Sequence, residues 1–130
     1  MKLAFYKAPG TWADKAIRLF TGSAYSHVEL VINGMCYSSS IQDSGVRCKG
    51  INIHSGNWDV VDIPGDERKA LKWFADHDGQ AYDWAGVFRF LLPLLPNSAN
   101  RWFCSEAVAA ALGIKVPEAY TPQDLYEGFR

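Results

Sequence analysis

Apolar and polar residues alternate most clearly in one place. His27-Val28-Glu29-Leu30-Val31-Ile32 is followed by Asn33-Gly34 and then by Met35-Cys36-Tyr37-Ser38-Ser39-Ser40. Asn-Gly between two strand-like runs is a strong short-range signal for a hairpin, because both central residues can take positive φ. Lys2 to Tyr6 reads as a short first strand, and further strands are expected near Val46–Lys49 and Asp59–Ile63.

Helical spacing marks other segments. Thr11-Trp12-Ala13-Asp14 has the form of a helix start and predicts a helix over Trp12–Phe20. Ala70, Leu71, Phe74 and Ala75 share a face of a helix over Glu67–Asp76. Asp83 is expected to cap a helix over Trp84–Leu92. Ser105–Leu112 is alanine-rich, with Gly113 where a helix-terminating glycine belongs. Thr121-Pro122 is a cap followed by proline at the first helical position. Strands grouped together with helices at both ends predict an α+β fold, and no repeat or linker divides residues 1–130, which predicts one domain.

Composition narrows the function classes. Hydrophobic residues at 48% and charged residues at 21% exclude a disordered chain. A net charge of −1 gives no reason to expect a nucleic-acid partner. No apolar run reaches the roughly 20 residues of a membrane helix. The start lacks a signal-peptide core, so a cytoplasmic site of synthesis is expected, with a virion or holin as the delivery route if the protein is phage-encoded. Three cysteines, Cys36, Cys48 and Cys104, form neither a disulfide framework nor a zinc ribbon, and no metal or cofactor is expected. His77 between Asp76 and Asp78 reads better as a solvated helix end than as a metal ligand.

Two features carry candidate chemistry. Cys104 stands where a helix begins, and the unpaired N–H groups of a first turn favour a thiolate and an oxyanion. A buried thiol of no chemical role is the commoner fate of a free cysteine. His27 and Glu29 lie two apart on a strand and share a face, which suits a base and the carboxylate that orients it. An ordinary solvent-facing pair has the same spacing. Together they are the parts of a Cys–His acyl-transfer site, 77 residues apart in the chain. Tyr25 precedes His27 by two and is expected to share its face. Glu106 already has a reason to stand in a first helical turn.

The segments Tyr25–Ile32, Gly79-Gln80-Ala81-Tyr82-Asp83-Trp84-Ala85-Gly86 and Trp102-Phe103-Cys104-Ser105-Glu106 resemble the circularly permuted branch of the NlpC-like cysteine peptidases. In that branch, as in its lecithin:retinol acyltransferase cousins, the histidine strand precedes the cysteine helix. The resemblance spans about residues 2–129. It implies a papain-like core, a small antiparallel sheet packed against helices that include the cysteine helix. It also implies Cys104 as nucleophile and His27 as general base, then acid. The family's third polar residue stands on the strand after the histidine, where this chain has Tyr37-Ser38-Ser39-Ser40-Ile41-Gln42. Glu29 is therefore the expected orienting residue, with Gln42 and Ser38 as alternatives. The expected activity is cleavage of a peptide or acyl amide, such as a peptidoglycan stem peptide. Two other readings stand beside it. The apolar Phe88–Leu95 stretch fits a lipid amidase or acyltransferase, and the same fold without turnover fits a wall-binding or virion module.

Overall fold

The structure is a computed structural model that describes residues 1–8, 17, 24–82 and 101–130. Its elements run β1 (Lys2–Tyr6), β2 (His27–Ile32), β3 (Met35–Ser40), β4 (Gly45–Lys49), β5 (Trp58–Asp62), α1 (Glu67–His77), β6 (Ala81–Tyr82), β7 (Arg101–Trp102), α2 (Cys104–Ala111), a 3₁₀ turn (Pro117–Ala119) and α3 (Pro122–Phe129). The fold is α+β. Strands β4-β3-β2-β1-β5 form one antiparallel sheet, while β6 and β7 pair in parallel as a second, two-stranded sheet. The expected helix over Trp12–Phe20, apart from a buried helical Ile17, lies outside the described residues. So do the Asp83-capped helix and the Phe88–Leu95 stretch.

The local signals work as their chemistry requires. Asn33 and Gly34 both take positive φ, 51° and 78°, and close β2 onto β3 with Ile32 opposite Met35. Asp66 caps α1 by accepting from the Arg68 and Lys69 N–H groups. Thr121 and Asp124 cap each other's backbone at the start of α3, with Pro122 first in the helix. At the end of α2, the Gly113 N–H donates to the Ala110 carbonyl and the Ile114 N–H to that of Ala109. Gly113, at φ 78°, thus closes a Schellman motif.

The sheet is buried on both faces. Leu3, Phe5, Val28, Leu30, Ile32 and Val46 pack in one cluster with Phe103, Cys104, Ala107 and Val108 of the α2 region and with Leu125 of α3. On the other face Ala4, Val31 and Cys36 pack with Ile53, flanked by Ile51 and Trp58. The face that carries Glu29 is therefore not the solvated side of an amphipathic strand. The segment between β4 and β5 covers it.

Two ties bring the residues around α2 to the sheet. The Val46 N–H donates to the Gln80 carbonyl (2.8 Å), and the Gly79 N–H to the Val46 carbonyl (2.9 Å), so residues 79–80 extend the pairing at the β4 edge. Trp102 then donates from Nε1 to Gln80 Oε1 (2.6 Å) and accepts at its carbonyl from Ser39 Oγ (2.5 Å). Gly45 makes the first tie possible. At φ 138°, any Cβ on it would lie 2.0 Å from the Gln80 carbonyl oxygen. No helix among the described residues is long and apolar enough to cross a membrane.

Candidate active site

Cys104 is the first residue of α2, after the extended Phe103, whose N–H donates to Glu106 Oε1 (3.4 Å). That bond gives Glu106 the capping place expected of it. The helix start therefore leaves backbone donors of its first turn around the thiol. Cys104 is 0% exposed and belongs to the cluster on the Val28 face of the sheet.

His27 reaches it from the other side. As the first residue of β2, it shares with Glu29 the face opposite Val28. Its Nε2 pairs with Glu29 Oε2, and Cys104 is near enough to act on the charge of the ring. With Nε2 held by the carboxylate, Nδ1 is the ring nitrogen that Glu29 leaves unengaged. Of the three residues expected to form a Cys–His–carboxylate chain, His27 and Glu29 are bonded directly, and Cys104 is the other ionisable neighbour of the ring.

The electrostatics follow from burial and pairing. Burial alone would lower the pKa of His27, but the charges of Glu29 and of an ionised Cys104 outweigh it and raise it to about 10. Glu29 is 0% exposed. Burial pushes its carboxyl up, yet the His27 charge and the Arg47 bonds bring it below the usual carboxylate range. Arg47 donates through Nη1 to Glu29 Oε1 and through Nη2 to Oε2, both at 2.6 Å. Its Nε donates to Asp43 Oδ2 (2.8 Å), which also accepts from Lys49 Nζ (2.8 Å).

The other expected site residues divide. Ser38 is buried, and its hydroxyl donates to the Val28 carbonyl (2.7 Å), so it supports β2 and does not touch His27. Gln42 lines a cavity of about 290 Å³ beside His27, together with Tyr6, Trp58, Arg47 and Tyr82. Tyr25 departs from expectation. Its ring packs on Phe5 and Tyr126, and its hydroxyl donates to Asp59 Oδ2 (2.6 Å). The physical reason is that β2 starts at His27, so strand alternation does not extend back to Tyr25. His77 is the last residue of α1, as expected of a helix end, and its partly exposed ring stacks on Trp73 at 4.0 Å and bonds its carbonyl. Cys36 is buried and Cys48 exposed, and neither is in a disulfide. Among the described residues no cluster of three His, Cys, Asp or Glu is placed to hold a metal ion.

Two residues were not singled out from sequence. Arg47 stands within the expected strand Val46–Lys49, but only the register shows its neighbours. It lies opposite Ser38 on β3, which follows a Leu30–Tyr37 pairing and so puts Arg47 two strands from Glu29 on the same face. Ser26 is fully buried, lines the cavity, and its hydroxyl has no hydrogen-bond partner among the described residues. No feature of the sequence marks that hydroxyl. Compared with family models and with curated proteins, the chain finds no match.

Proposed function

We propose that the chain is a cysteine-dependent amide hydrolase built on a permuted papain-like core. The observation that carries the reading is the buried His27–Glu29 pair with Cys104, at a helix start, as the ring's other ionisable neighbour, the histidine and the cysteine standing 77 residues apart in sequence. The order of the histidine strand before the cysteine helix, and the antiparallel sheet against that helix, support the fold assignment.

In this mechanism Glu29 holds His27 as an imidazolium, and the thiolate of Cys104 is its counter-ion. The thiolate adds to the amide carbonyl. Backbone N–H groups at the start of α2 receive the oxyanion. His27 gives its proton to the leaving amine as the C–N bond breaks, leaving a thioester on Cys104. Water, deprotonated by the neutral ring, adds to the thioester carbonyl and releases the acid and the thiol. The cavity beside His27, with the Ser26 hydroxyl in its wall, supplies space for the part of the substrate next to the scissile bond. Peptidoglycan stem peptides are the expected class.

The test is turnover of muropeptides and N-acyl amides, with mass detection of the thioester. Cys104→Ala is expected to lower turnover roughly a thousandfold or more while the protein stays folded, since one heavy atom is removed. Normal cleavage by that variant sinks the mechanism. If no substrate is cleaved and Cys104 alkylates no faster than the exposed Cys48, the chain is a binding module on this fold.

A further inference from the structure

We infer that Arg47 is a positioning residue that keeps Glu29 ionised and aimed at His27. The inference rests on the Cys104–His27–Glu29 reading and adds to it a part that neither the His-x-Glu spacing nor the cysteine helix contains.

The geometry is specific to a guanidinium. Two nitrogens of one planar group meet two oxygens of one carboxylate at equal distances of 2.6 Å, the fork arrangement that fixes the carboxylate plane. The third nitrogen, Nε, is held by Asp43, and Asp43 is itself shared with Lys49. Arg47 is thereby pinned from behind as well as in front. Its side chain is 13% exposed and that of Glu29 is not exposed, so solvent screens the pair little.

A carboxylate buried with a single imidazole partner has an alternative. It can take the proton from the ring and leave both groups neutral, which burial favours. A neutral ring would then have no fixed charge with which to hold the Cys104 thiolate. The fork disfavours that alternative, because protonation removes the negative charge that strengthens both N–H bonds and leaves a hydroxyl oxygen as the weaker acceptor of one of them. The other groups that face Glu29 do not replace Arg47. From β2 comes His27 itself, from β1 the opposite residue is Ala4, and from β3 the nearby titratable group is Cys36, whose thiol burial and the Glu29 charge push up. Cys104 on α2 meets Glu29 only through His27.

The experiment follows the Glu29 side-chain carboxyl by ¹³C NMR through a pH titration, in the full chain and in Arg47→Met and Arg47→Lys. In Arg47→Met the Glu29 midpoint is expected to rise by about one to three pH units, the effect of one adjacent opposite charge. Arg47→Lys, which keeps a charge but not the fork, is expected to rise by less. The acid limb of the rate of Cys104 alkylation by iodoacetamide is expected to move up with it. A packing role alone would lower thermal stability and leave both midpoints where they are. If Arg47→Met gives no folded protein, Arg47→Lys decides: a raised midpoint supports the inference and an unmoved one overturns it. The carboxyl titration needs no turnover. A raised Glu29 midpoint in a chain that cleaves nothing therefore leaves the positioning role standing while the hydrolase reading falls.

Discussion

At the scale of single residues, the central fact is a histidine whose two sides belong to different environments. Glu29 accounts for much of its charge, so Glu29→Gln is expected to bring the His27 pKa down from about 10 toward or below its ordinary value, because burial then acts unopposed by the carboxylate. Ring titration by NMR checks this, and a midpoint still near 10 would show that the carboxylate is not its source. The same variant leaves Arg47 buried with half its partners, at a cost of roughly 3–5 kcal/mol, the usual penalty for breaking a buried pair. The helix start at Cys104 and the shared face of His27 and Glu29 were legible in the sequence because each depends on one local rule, whereas their joining in one site was expected only from the resemblance. Arg47 was not, because it meets Glu29 only through the pairing of β2 with β3 and β3 with β4. Tyr25 failed for a related reason: the spacing rule was extended beyond the end of the strand that obeys it.

At the scale of elements, the Asn-Gly hairpin and the caps of α1 and α3 were legible because turn and cap chemistry is carried by two to four adjacent residues. The parallel pairing of β6 with β7 was not, since each strand is two residues long and neither has a pattern. What holds that region is the close passage of Gln80 over Gly45. Gly45→Ala is therefore expected to cost about 2 kcal/mol or more, from positive φ and from displacement of the Gln80 backbone. Gly34→Ala meets nothing within 4 Å and is expected to cost only about 1 kcal/mol through its φ. Chemical denaturation compares the two, and hydrogen exchange at the Val46 amide should rise only in the first. Equal losses would mean that the Gln80 approach is not what requires glycine.

At the scale of the whole molecule, the buried pair gives stability a definite pH dependence. Folding raises the His27 pKa from 6.5 to about 10, so the folded state holds the proton more tightly than the unfolded chain. That stabilisation is complete below about pH 6.5 and is lost as pH rises through 10. Glu29 is shifted the opposite way, from 4.5 downward, so its contribution is present above pH 4.5 and lost as the medium becomes more acidic. Between those limits both contributions are in place. Urea unfolding at pH 5.5, 8 and 10 is expected to show a progressive alkaline loss that is smaller in His27→Gln; an equal loss in that variant would place its origin elsewhere.

The two sides of the sheet are otherwise well separated. Cys104 lies in the apolar cluster of Val28 and Leu30, Glu29 and Arg47 lie on the other face, and the cavity beside His27 is lined from both, by Ile17 and Tyr82 of the first and by Glu29 and Arg47 of the second. The imidazole at the open end of β2 is the conductor between them. A charge brought into the cavity meets that ring directly, because His27 lines the cavity wall. Reagents aimed at this centre accordingly fall into two chemically independent kinds: electrophiles that consume the buried thiol, and ions in the cavity that alter the charge of the ring beside it.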